Sequence, residues 1–232
     1  MFRRESICFA ILTAVVGSGA VPVHPEALND QLQRYVDDRV QEFETIPPQR
    51  RDELRKLAAY VHDRANAGQP ARLTFICTHN SRRSQICQIW AATAAAYYGR
   101  SGIKVYSGGT EVTSFNGRAV AALRRAGFVI DEPKTTQNPR FRVRFSGKGL
   151  ELECFSKFYG DASNPKADFC AVMMCSQVDK QCPLVRGAAR RLSLPFDDPK
   201  VFDNTPQESQ KYDERCAQIA RELLFVFSCV DR

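Results

Sequence analysis

The stretch Leu73-Thr74-Phe75-Ile76-Cys77-Thr78-His79-Asn80-Ser81-Arg82-Arg83-Ser84 decides how the rest of the chain is read. Residues 73–77 are a short apolar strand. Ile86, Ile89, Trp90, Thr93 and Tyr97 then recur at helical spacing. A cysteine therefore stands where a buried strand gives way to a helix. The first backbone N–H groups of a helix have no intrahelical partner and can converge on an anion. Those amides, the helix dipole and a nearby arginine all favour a thiolate. Arg83 can reach back and hold two oxygens of a tetrahedral oxyanion with its planar fork. Ser84 can donate its hydroxyl to the sulfur, and Asn80 can pin the loop through its amide. Thr78, His79, Asn80, Ser81 and Arg82 form the oxyanion-binding span, with His79 shaping the loop rather than acting as a base. One loop thus supplies nucleophile, anion cradle and charge clamp.

Strand and helix alternate outward from this loop. Residues 103–107 read as a second strand, 116–126 as a helix with Gly127 just past its end, and 169–175 and 191–196 as further strands. Tyr212, Cys216, Ile219, Leu223 and Val226 line one face of a last helix. This order argues for an α/β domain with a parallel sheet covered on both faces. Residues 141–158 alternate differently around Gly147 and Gly149, as an inserted β-hairpin would. Arg140, Arg142 and Arg144 would share one strand face there, either extending a positive field or simply facing solvent.

Upstream, Leu28, Leu32, Tyr35, Val36, Val40 and Phe43 mark one amphipathic helix. Leu54, Leu57, Ala58, Val61 and Ala65 mark a second, started by Pro47-Pro48 and stopped by Gly68 and Pro70. Residues 21–69 are read as an N-terminal helical hairpin bracing a main domain of residues 70–232. Residues 1–20 have the layout of a signal peptide: Arg3 and Arg4, an apolar run over 7–16, then small residues at Ser18 and Ala20. The alternative is an uncleaved apolar helix or membrane anchor. A cleaved signal predicts a periplasmic or secreted protein with no stable membrane span; without one, a cytoplasmic protein is expected.

The 232 residues suffice for a real core, and the 44% hydrophobic, 25% charged composition excludes wholesale disorder. The net charge of +7 suits an anionic ligand, but its spread along the chain does not call for nucleic acid. Nine cysteines are too few per residue for a disulfide scaffold. With no CxxC, no HExxH and no Cys/His cluster, neither a metal site nor a cofactor is expected.

The loop resembles that of the low-molecular-weight protein tyrosine phosphatases and of the arsenate reductases that share their fold. The resemblance covers residues 70–230. It implies a four-stranded parallel sheet flanked by helices, with the loop at the C-terminal edge of the first strand. It also gives a role to Phe196-Asp197-Asp198-Pro199. In the phosphatases an Asp before Pro protonates the leaving oxygen; in the reductases it assists the thiol and the departing hydroxyl. That position is Asp198.

Cys175 and Cys182, seven apart and followed by Pro183, distinguish the two branches. They resemble the relay of thioredoxin-coupled arsenate reductases. The resemblance makes Cys77 the nucleophile and Cys175 the thiol that resolves its arseno adduct. Cys182 carries the oxidation outward to a thioredoxin-like reductant, and the Ser-, Gln-, Asp- and Lys-rich segment between them suits a mobile loop. The alternative is a phosphatase that hydrolyses phosphomonoesters through Cys77, Arg83 and Asp198. Cys87, Cys170, Cys216 and Cys229 are expected to be packed, and Cys154 has no assigned role.

Overall fold

In the computed structural model, residues 28–133, 137–146, 150–175 and 184–230 are described. The signal-like segment, the hairpin turn and Cys182 lie outside them. Helices α1 (Asp30–Gln41) and α2 (Pro48–Asn66) come first. Next are β1 (Ala71–Cys77), α3 (Arg83–Tyr97), β2 (Ile103–Gly109) and α4 (Gly117–Ala126). The short strands β3 (Val129–Ile130), β4 (Phe141–Arg144) and β5 (Glu151–Cys154) follow. Then come β6 (Phe169–Met173), β7 (Ala188–Ser193), a 3₁₀ turn (Pro199–Phe202) and α5 (Glu208–Ser228).

Four strands form one parallel sheet in the order β2-β1-β6-β7, as expected. The chain moves from β1 to one neighbour and returns to the other, so the strand order reverses between β1 and β6. Loops diverge at such a switch point and leave a crevice at the carboxyl ends of the strands. Cys77 ends β1, and Cys175 follows the end of β6 by two residues. The N–H of Met174 donates to Ile76 O at 2.8 Å and carries the ladder up to both cysteines. β1 and β6 are almost wholly buried, which is why both read as continuous apolar runs.

The strand expected at 191–196 begins three residues earlier, at Ala188. β7 is an edge strand with Ala189 and Arg190 exposed and Arg191 half-buried, so its first half carries little apolar signal. The insertion is antiparallel, as its alternation implied, but β3 joins it to make a three-stranded sheet. Its arginines are paired: Arg140 with Glu153, Arg142 with Glu151 and Arg144 with Asp131. They form a ladder of ion pairs rather than a free positive field.

α1 and α2 brace the domain, though each packs on α5 more than on the other. Asn29 caps α1 through its Oδ1, which accepts from Leu32 N, and ties it to the main body through its Nδ2, which donates to Gly127 O. Gly127 (φ 110) ends α4; a Cβ there would sit 2.7 Å from Leu32 N. Trp90, fully buried, stacks on Tyr35 of α1, meets Phe128 edge-on and donates to Cys216 Sγ of α5. One continuous apolar core therefore joins the N-terminal helices to the sheet.

Candidate active site

Residues 77–84 wrap the end of β1 with their carbonyls turned outward. Cys77 O accepts from Thr110 N, Thr78 O from Glu111 N, and Ser81 O from Asn116 N. His79 O accepts from the hydroxyls of Ser156 and Thr113, and Asn80 O from Gln85 Nε2. Among the described residues, none of the amides from Thr78 to Ser84 donates to a protein group. A turn with its acceptors satisfied outside and its donors free inside is an anion nest. Asn80, at φ 46, takes the left-handed conformation that turns the chain.

Asn80 is fully buried and joins three elements. Its Nδ2 donates to Ser84 Oγ at 2.8 Å. Its Oδ1 accepts from Lys157 N at 2.9 Å and Gln85 Nε2 at 3.1 Å. Ser84 Oγ, so oriented, lies 3.0 Å from Cys77 Sγ. A hydroxyl that receives a hydrogen bond from Asn80 has its own proton to give, and the sulfur is the acceptor in reach.

Gly109 sits opposite Cys77 in the β1–β2 register. A Cβ at Gly109 would meet Thr78 O at 2.7 Å and Asn80 N at 2.8 Å, so only glycine lets this turn close against the loop. The end of β2 thus flanks the loop for a steric reason.

Arg83 reaches the segment after β7. Its Nη1 donates to Phe196 O at 2.9 Å and its Nη2 to Asp198 Oδ2 at 2.7 Å. The other oxygen of Asp198 accepts from Lys200 N and caps the 3₁₀ turn. Cys77, Arg83 and Asp198 line one small cavity. Arg82, in contrast, directs its guanidinium to Tyr212 Oη and Asp203, so only its backbone belongs to the nest. His79 points its ring at Glu111, 3.2 Å away, and is partly exposed. Cys175 is buried, with its sulfur 3.7 Å from Thr78 Oγ1.

The remaining thiols occupy different surroundings. Burial pushes the thiols of Cys154, Cys170 and Cys216 up to about 12, and raises that of Cys87 well above the ordinary range. These four are packing residues; Cys229, half-buried, packs against the same core.

No protein-family profile matches the chain. Among curated proteins, the arsenate reductase of Bacillus subtilis (strain 168) is 30% identical over 141 residues, 61% of this chain and 83% of that protein. The chain belongs to the family of low-molecular-weight phosphatases and arsenate reductases. It is an enzyme of that family's kind. The arsenate reductase of Bacillus licheniformis is 28% identical over 145 residues, 61% of this chain and 83% of its own length. Among solved structures, an arsenate reductase in the phosphate-binding state aligns over 69% of this chain and 99% of that one, with TM-score 0.45 and 17% identity. A low-molecular-weight phosphotyrosine phosphatase from Vibrio cholerae O395 aligns over 68% of this chain and 95% of that one, with TM-score 0.46 and 12% identity.

Several supporting residues escaped the sequence reading. Gln85 bonds Asn80 and Phe155 O, while Ser156, itself held by Asn138, bonds His79 O. The exit of the insertion therefore buttresses the back of the anion loop. Gln85 carried a usable signal: it is one of the few polar residues in a mostly apolar helix. Ser156 and Asn138 carried none, because their partners lie 77 and 18 residues away.

Proposed function

We propose that this enzyme is a thiol-dependent arsenate reductase. One observation carries the reading: a second thiol, Cys175, lies 3.7 Å from Thr78 of the loop that holds Cys77, just past the end of β6, the strand that pairs with β1 at the switch point of the sheet. The names of the curated relatives support the same reading.

In this scheme the nest amides and Arg83 bind arsenate, which displaces Asp198 from the guanidinium. The Cys77 thiolate, held by the Ser84 hydroxyl, attacks arsenic(V). An As–O bond breaks, and Asp198 supplies the proton that lets the oxygen leave as water. The Cys175 thiolate then attacks Cys77 Sγ. The S–As bond breaks, its electron pair stays on arsenic, and arsenite leaves as arsenic(III) while a Cys77–Cys175 disulfide forms. Cys182 attacks Cys175 and frees Cys77. The Cys175–Cys182 disulfide takes two electrons from an external dithiol of thioredoxin type.

The test is arsenite production by the purified protein with arsenate and a thioredoxin system. Cys175→Ser and Cys182→Ser are each expected to stop turnover after one arsenate per chain. Continued arsenite release by both variants refutes the relay.

A second reading rests on the Arg83–Asp198 pair, which equips the same loop for phosphomonoester hydrolysis through a phosphocysteine. Steady hydrolysis of an aryl phosphate with no arsenite formed would establish it instead.

A further inference from the structure

The N-terminal helices lie outside the part of the chain that carries the phosphatase resemblance, yet one of their side chains grips the segment bearing Asp198. We propose that Arg50, on α2, is a positioning residue for the acid loop, residues 195–203. The proposal rests on the reading of Asp198 as the proton donor.

Arg50 is nearly buried and makes four contacts. Its Nη2 donates to Pro195 O at 3.2 Å, and its guanidinium lies 4.9 Å from the centre of the Phe196 ring. Its Nε donates to Glu222 Oε2 at 2.8 Å and its Nη1 to Glu53 Oε2 at 2.9 Å. Glu222 is only 2% exposed, so its charge requires a partner, and Arg50 supplies it.

Two routes lead from this cation to the site. The short one runs through Phe196, whose ring Arg50 covers and whose carbonyl accepts from Arg83. Two residues on is Asp198. The longer one follows α5. Glu222 Oε1 accepts from Gln218 Nε2, Gln218 Oε1 accepts from Arg215, and Arg215 pairs with Asp197 at 3.3 Å. The far end of the loop is held separately, where Asp203 accepts from Arg82 and from Tyr212 Oη. Arg50 therefore holds the near end of a loop whose far end belongs to the domain itself. A general acid works only within hydrogen-bond reach of the atom it protonates, and a displacement of about 1 Å is expensive in rate. Bracing this loop gives the N-terminal helices a part in the chemistry.

The experiment compares the full chain with Arg50→Met, Arg50→Lys and Asp198→Asn on two aryl phosphates. The phenol of phenyl phosphate must be protonated as it leaves; 2,4-dinitrophenolate need not be. Arg50→Met is expected to lower kcat on phenyl phosphate roughly tenfold with KM almost unchanged, and to leave the dinitrophenyl ester nearly unaffected. Arg50→Lys keeps a cation beside Glu222 and loses the stacked, forked contact; it is expected to follow Arg50→Met and keeps the test valid should Met not fold.

Amide hydrogen exchange at residues 196–198 is measured on the same samples and needs no activity. It is expected to accelerate in both Arg50 variants while β1 and β6 stay protected. If Asp198→Asn shows no contrast between the esters, the reading of Asp198 fails; in that case, and where the wild type hydrolyses neither ester, exchange alone judges Arg50. Unchanged exchange overturns the positioning role. So do equal losses on both esters, or no loss on either while Asp198→Asn shows the contrast.

Discussion

The anion loop after β1 and the acid loop after β7 meet across one small cavity, but they are held by opposite means. The anion loop is anchored by neutral hydrogen bonds among buried groups: Asn80, Ser84, Gln85 and Ser156, with backbone from residues 109–116 and 157. The acid loop is anchored by arginines. Arg50 holds its start, Arg83 its middle and Arg82 its end, and Arg215 reaches Asp197 from α5. A nest meant for an anion must not bring other charges inside, because its free amides are the attraction. A loop carrying an acid can be held by cations, and a loop so held can release Arg83 when an anion arrives to replace Asp198. One loop is a fixed mould and the other is a charged counterpart.

The sharpest break in that comparison is Cys77→Ser. It should lower turnover at least about ten-thousandfold on either substrate while the fold survives, since it removes the nucleophile and nothing structural. Steady-state kinetics with a thermal melt checks both halves. Asp198→Asn removes the acid but keeps a hydrogen-bonding side chain, and should cost roughly a hundredfold in kcat with phenyl phosphate. A loss confined to KM would show Asp198 to be a binding group only.

Asn80→Ala attacks the mould instead. It strands Lys157 N–H and puts alanine at positive φ, for about 2–4 kcal/mol of stability, read by urea denaturation. A loss under about 0.5 kcal/mol would mean the loop does not depend on it.

Salt should separate the two loops more gently. Between about 0.05 and 1 M NaCl, amide exchange in residues 196–203 should quicken by a small factor, with residues 77–84 unmoved.

The smallest expected effect is none at all. At pH 8, iodoacetamide should leave Cys154, Cys170 and Cys216 unmodified in the folded protein. Thiols at about 12 are ionised to only about one part in ten thousand there. Peptide mass spectrometry reads the result.

The same contrast explains what could be read without coordinates. The anion loop is a local structure. Cys77, Asn80, Arg83 and Ser84 lie within eight consecutive residues, and the strand-to-helix junction that shapes them is written in hydrophobic spacing. Gly127, just past the end of α4, is local in the same way. Asp198 needed the resemblance, because Asp-Pro by itself also describes an ordinary turn. Arg50 was invisible, since an arginine on an amphipathic helix looks the same facing solvent or facing Glu222, 172 residues on. The start of β7 was obscured because an edge strand is half-wet and can carry Arg190 and Arg191 at no cost to its pairing.

The sequence alone determined the alternation of strands and helices, the nest at the end of β1 and the identity of the thiol inside it. Each depends on interactions over a few residues, or on the burial of a single continuous run. Only the tertiary structure decided that β1 and β6 are neighbours, which sets Cys175 beside Thr78, and that the N-terminal helices reach the acid loop. It also decided that the insertion supports the anion loop from behind. Those facts depend on which distant surfaces pack together, and packing is settled by the whole core at once, not by any segment within it.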